Sequence, residues 1–130
     1  QVIADLRGLT AHGVQTYLMH GNRDFLMGQT LADACHATLL PDPTLIDLYG
    51  TPTLLCHGDT LCTDDIEYQN YRTYVRDSGF QKDFLAKPLK ERKTFITQLR
   101  ARSTAEKQKK DSAIMDVNND TVAALLRQHN

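Results

Sequence analysis

No apolar run in this sequence approaches the length a helix needs to cross a bilayer. The chain does not open on a basic-then-apolar leader either. Cysteine is scarce: Cys35, Cys56 and Cys62 are odd in number and form no Cys-x-x-Cys pair. That speaks against a disulfide framework and fits a reducing cytoplasm. A zinc site from Cys56, His57 and Cys62 is an alternative, but its spacing matches no zinc pattern. Internal repeats and low-complexity tracts are also missing, apart from one short echo. What remains is a chain of 130 residues, 41% hydrophobic and 24% charged, proportions of a globular domain rather than a disordered segment. The length allows one ordinary domain and not two. The chain starts on Gln1, and "AALLRQHN" reads as a helix stopping in mid-topology, so we expect a segment of a longer protein.

The near-neutral total hides an asymmetry. Residues 82–110 hold ten Lys or Arg against three acids, a balance of +7. Because the whole chain carries −1, the remainder carries −8. A basic segment set in an acidic chain points to an anionic partner for that segment.

Periodicity gives an alternating plan. Residues 3–11 read as the end of a helix closed by Gly13. "VQTYLM", residues 14–19, reads as a strand buried on both faces. Helical spacing returns in residues 25–37, with Leu26, Thr30 or Leu31, and Ala34 recurring. "TLIDLY" and "TPTLLCH" read as a hairpin, with Gly50 and the following Thr-Pro making the turn. This half of the chain is α/β in character. From Thr63 onward the reading is helical: a capped helix with Ile66, Tyr71, Tyr74 and Val75 available for packing, a break at Ser78-Gly79, a piece over 81–86, and a long helix restarted by Pro88. A last helix, capped at Asn118, buries Val122, Leu125 and Leu126.

The echo lies between "TYLMHGNRDFLMG", residues 16–28, and "TLLCHGDTLCTDD", residues 53–65. Each is an apolar strand that breaks into His-Gly and then polar residues. In open α/β sheets functional groups gather at such strand ends, on loops that the scaffold holds rigidly. His57 offers an imidazole suited to manganese, iron, zinc or nickel, and Asn22 a neutral carbonyl oxygen suited to harder cations. The two ends side by side would make half of a metal site. Arg23 has the planar fork that suits a phosphate oxygen. Taken alone, Gly-Asn-Arg-Asp also reads as a βα turn in which Asp24 caps the next helix. His20, which precedes the turn, reads as a core or supporting histidine, and His12, His36 and His129 as surface residues.

"HGNRD" after a strand, followed by "HGDTLCTDD" and then "AIMDVN", resembles the calcineurin-like metallophosphoesterases, and within them the UDP-2,3-diacylglucosamine diphosphatase subfamily of lipid A biosynthesis. The similarity covers nearly the whole chain. It implies an α/β fold, part of an α/β/β/α sandwich with a helical lid insertion, here a core portion over 1–63, a lid over 64–113 and a return helix over 114–130. It implies two Mn2+ ions, with Asn22 and His57 among their ligands. Substrate contacts are implied for Asn22, Arg23, Asp65 and Tyr68, and from the lid for Arg100, Ser103, Lys107 and Lys110. Those four lid positions are spaced three, four and three residues apart, which would line one face of a continuous helix. At Lys107 we expect relatives to carry a small amide instead.

The implied reaction is hydrolysis of the diphosphate of UDP-2,3-diacylglucosamine to UMP and 2,3-diacylglucosamine 1-phosphate, on the cytoplasmic face of the inner membrane. Acyl chains would call for an apolar lid face, with Phe80, Phe84, Leu85, Leu89, Phe95 and Ile96 as candidates. The family also uses an Asp-x-His, a Gly-Asp and a Gly-His-x-His that this sequence lacks. The chain as it stands is therefore expected to be inactive. The rivals are another calcineurin-like phosphomonoesterase or nuclease, and a nucleic-acid-binding module using residues 82–110. Sparse aromatics in that stretch and an acidic remainder argue against nucleic acid, and nothing calls for a protein partner.

Overall fold

Helix and strand mix as the patterning requires. A computed structural model describes residues 1–108 and 110–129, except the side chain of Lys107. The chain divides into two compact units: Gln1–Asp59 with the chain end from Leu126, and Thr60–Leu125.

In the first unit, α1 (Val2–Ala11) stops where expected, as the Gly13 N–H returns to the Thr10 carbonyl at 3.0 Å. Only Tyr17–Met19 of the expected strand forms β1, and Tyr17 is exposed rather than buried. The reason is pairing: among the described residues β1 has one neighbour, β2 (Thr38–Leu40), parallel and in register from Tyr17↔Thr38 to Met19↔Leu40. The helix between them, α2 (Gln29–Cys35), starts four residues later than its apolar spacing implied. Gly28 is its extended N-cap, and Phe25 to Met27 form a turn closed by the Met27 N–H on the Asp24 carbonyl at 2.8 Å. The buried face is therefore Ala32 and Cys35, both 0% exposed, with Phe25 beside the turn, and not Leu26 and Ala34. α1 packs on α2, and α2 on β2. The hairpin forms, β3 (Thr44–Leu48) running antiparallel to β4 (Thr51–Leu55), but its loop is Tyr49 and Gly50, while Thr51 and Pro52, expected in the turn, pair with Leu48 and Asp47. Tyr49 and Gly50 both have positive φ, the conformation of tight two-residue hairpin turns.

The second unit is helical. α3 (Ile66–Arg76) is capped by Asp65, whose Oδ1 accepts the Tyr68 N–H at 3.0 Å. α4 (Ser78–Ala86) begins three residues before the expected 81, because Asp77 caps it through the Phe80 N–H at 2.8 Å. The break between the two helices is thus Asp77, not Ser78-Gly79. Pro88 opens α5 (Leu89–Lys107). Val75 and Phe84 are buried, and Phe84 stacks on Phe80 at 5.9 Å and meets Phe95 at 5.3 Å. Such a cluster adds about 0.5–1.5 kcal/mol per ring pair beyond burial. Ile66 and Tyr74, expected to pack, are exposed, although the Tyr74 ring still lies 4.6 Å from Phe80.

The chain entering this unit is fastened to the chain leaving it. Asn118 donates its backbone N–H to the Leu61 carbonyl at 2.8 Å and its amide to both Asp64 oxygens at 3.1 and 3.3 Å. Its Oδ1 caps α6 (Asn119–Gln128) through the Thr121 N–H at 3.1 Å. Thr121 in turn reaches Thr63, hydroxyl to hydroxyl, at 3.1 Å. The expected cap is therefore right, but the stripe it precedes is not fully buried. Val122 and Leu125 are half-buried and Leu126 is exposed.

Candidate functional site

The turn after β1 is built to be stiff. His20 is half-buried, and its Nε2 bonds the Met27 carbonyl, the supporting part expected of it. The Gly21 N–H donates to Asp24 Oδ1 at 2.5 Å, so Asp24 closes its own turn and does not cap α2. Buried Phe25 anchors the loop from below, while Asn22 and Arg23 are exposed at its tip. A carbonyl oxygen and a guanidinium are thereby offered outward from a backbone fixed at both ends.

His57 follows β4 and meets this turn. A methyl group placed on Gly21 would lie 2.9 Å from His57 Nε2, 3.0 Å from His57 Cδ2 and 3.0 Å from Asp24 Oδ1. Only glycine lets the imidazole approach so closely. The two His-Gly pairs therefore use their glycines differently. Gly21 has ordinary φ and is needed for space; Gly58 has φ +90 with open space around it and is needed for its conformation. That turn brings Asp59 Oδ1 to 3.4 Å from His57 Nδ1, and the Asp59 side chain is only 5% exposed. The His57 backbone N–H donates to Asp42 Oδ1 at 3.2 Å.

In the second unit Asp65 and Lys110, 45 residues apart, come together at 2.5 Å, and Glu67 Oε2 approaches the same ammonium at 3.2 Å. The hydrogen bond that Lys110 donates to Asp65, with help from Glu67, raises the Lys110 pKa above the usual lysine value of 10.5. Tyr68 sits one turn along, its N–H on Asp65. Arg100 and Ser103 are exposed on α5, three residues apart. The expected single helical face does not extend further. α5 ends at Lys107, so Lys110 lies beyond it and is committed to two carboxylates. The Lys107 side chain lies outside the described residues. His12 and His36 are exposed as expected, but His129 is half-buried.

Among the described residues no three His, Cys, Asp or Glu side chains converge as a metal site, the Cys56, His57 and Cys62 set included. Neither Asp59 nor Asp42 was given a role from the sequence. Asp59 is the acid of His-Gly-Asp, part of the echo between the two strand ends. Asp42 follows from continuing the hairpin register past Thr44↔Leu55, which sets it opposite His57.

No family model matches the chain. It is 49% identical over 130 residues, all of its length, to UDP-2,3-diacylglucosamine hydrolase of Marinobacter nauticus, of which it covers 53%. It is 50% identical over 123 residues to the protein of that name from Pasteurella multocida, covering 95% of this chain and 52% of the relative. The Pectobacterium carotovorum counterpart is 46% identical over 128 residues, covering 98% and 53%. The chain spans about half the length of the curated relatives it matches.

Proposed function

We propose that this chain, a homologue of the UDP-2,3-diacylglucosamine hydrolases over its full length, contributes part of the active site of a protein that hydrolyses the diphosphate of UDP-2,3-diacylglucosamine. The products are UMP and 2,3-diacylglucosamine 1-phosphate. The observation that carries the reading is the meeting of the two strand-end motifs: His57 lies against Gly21, next in sequence to Asn22 and Arg23. The fold is then part of an α/β/β/α sandwich, with residues 64–113 as its helical lid and 114–130 returning to the core.

The donor set suits two manganese ions in chemistry but not in number. One imidazole and one amide oxygen, His57 and Asn22, are a fraction of the ligands that two ions need. The remaining ligands must come from outside this chain. When bound, such ions lower the pKa of a water and offset phosphoryl charge. This chain's own residues do the rest. Arg23, exposed on a turn fixed by Asp24 and Phe25, donates its fork to phosphoryl oxygens as their charge grows. Asp65 and Lys110 would meet the substrate as a pair, the ammonium exchanging one of its two carboxylates for a sugar phosphate. Arg100 and Ser103 add a cation and a hydroxyl from α5.

A substrate with two acyl chains places the protein peripherally on the cytoplasmic face of the inner membrane. Exposed Leu85 on α4, and Leu89 and Phe95 on α5, the helix that also carries Lys90, Arg92 and Lys93, support that reading. No helix among the described residues is long and apolar enough to cross a membrane. The test is UMP release by the full-length protein with manganese, run against a nucleotide, a phosphomonoester and a DNA substrate. Release of UMP from the lipid alone supports the reading, and turnover of the other substrates without it overturns the assignment.

A further inference from the structure

The functional reading leaves unused a buried carboxylate behind the imidazole. Asp59 comes within 3.4 Å of His57 Nδ1 with its side chain 5% exposed. An imidazole N–H is a donor from which such a carboxylate can accept in addition to its other partners. We propose that Asp59 is a positioning residue: it favours the tautomer with the proton on Nδ1 and fixes the ring so that the Nε2 lone pair is presented to a divalent cation. The inference rests on the proposed hydrolase only for the identity of that cation, manganese.

Three features make this a built arrangement. The left-handed Gly58, at φ +90, folds the chain back so that an acid two residues on reaches its own histidine. Asp42 stands opposite His57 in the continued hairpin register and takes its backbone N–H at 3.2 Å, so the backbone is held by one carboxylate and the ring stands 3.4 Å from another. Nε2, the nitrogen left over, is the one that lies against the Gly21 turn, next in sequence to Asn22. Histidines that bind metals usually give their second ring N–H to a carboxylate or carbonyl, and removing such a partner typically weakens metal affinity about 10–100-fold.

The experiment titrates manganese into the full-length protein and counts free Mn2+ by electron paramagnetic resonance, for wild type, Asp59→Asn and Asp59→Glu. Asp59→Asn keeps the size but loses the charge, and is expected to weaken binding roughly 10–100-fold with an unchanged circular dichroism spectrum. Asp59→Glu is expected to recover part of that loss. In parallel, long-range proton–nitrogen correlation on metal-free wild type reads the His57 tautomer and does not depend on any variant folding. A proton on Nδ1 supports the proposal, and a proton on Nε2 overturns it. Wild-type affinity in Asp59→Asn also overturns it. Manganese binding without UMP release overturns the functional reading alone.

Discussion

Replacing Gly21 by alanine tests the meeting of the two motifs more sharply than removing a polar group. The new methyl would start 2.9 Å from His57 Nε2 and 3.0 Å from both His57 Cδ2 and Asp24 Oδ1. Comfortable contact needs about 3.5–4.0 Å, so the ring or the turn must give by roughly 0.5–1 Å. Overpacking of this kind costs about 1–3 kcal/mol. A misplacement of about 1 Å at a reacting centre costs on the order of 10²-fold in rate. For the full-length protein, Gly21→Ala should therefore lower kcat/KM about a hundredfold and reduce bound manganese, with a modest loss of stability. Gly58→Ala is the contrasting control, because nothing lies within 4 Å of its Cβ position. Its cost is backbone strain at φ +90, about 1–2 kcal/mol, with no direct push on the ring. Kinetics and metal analysis of the two variants side by side make the comparison. Wild-type kcat/KM and metal content in Gly21→Ala would refute the close approach of His57.

Other outcomes follow from single contacts. Arg23→Ala should lower kcat by about 10²–10³-fold while metal content, measured by mass spectrometry, stays near wild type. Asn118→Ala removes the cap of α6 and both bonds to Asp64, and should cost about 1–2 kcal/mol in urea unfolding. The Lys110 pKa is raised, so its pairing with Asp65 contributes fully below 10.5 and is lost as pH climbs through the higher folded value. The stability difference between wild type and Lys110→Met should accordingly be flat from about pH 7 to 10 and shrink above that.

Local signals carried far in this chain. Pro88 at the start of α5, the Asn118 cap and Gly50 in the hairpin turn all rest on chemistry within a few residues, and each was legible, although Tyr49 rather than Thr51-Pro52 completes that turn. The start of α2 was not, because Leu26 and Met27 fit a helical period while Gly28 and the Asp24 turn hold them out of the helix. β2 escaped because three residues give no period; only its parallel partner β1 makes it a strand. In the candidate site, Asn22, Arg23 and His57 announced themselves by residue type. Lys110 was set on a helical face because spacing cannot reveal that α5 stops at Lys107 and that Asp65 draws the ammonium away. Asp65, Lys110 and Glu67 also show that a basic stretch can spend part of its charge on its own chain.

The most direct test is UMP release from UDP-2,3-diacylglucosamine by the full-length protein, with and without manganese, beside Asn22→Ala and His57→Ala. The expected result is manganese-dependent UMP, matched mole for mole by 2,3-diacylglucosamine 1-phosphate and lost with bound metal in both variants. Undiminished UMP release by either variant, or none from the wild type, would contradict the assignment of these two strand ends to one hydrolytic site.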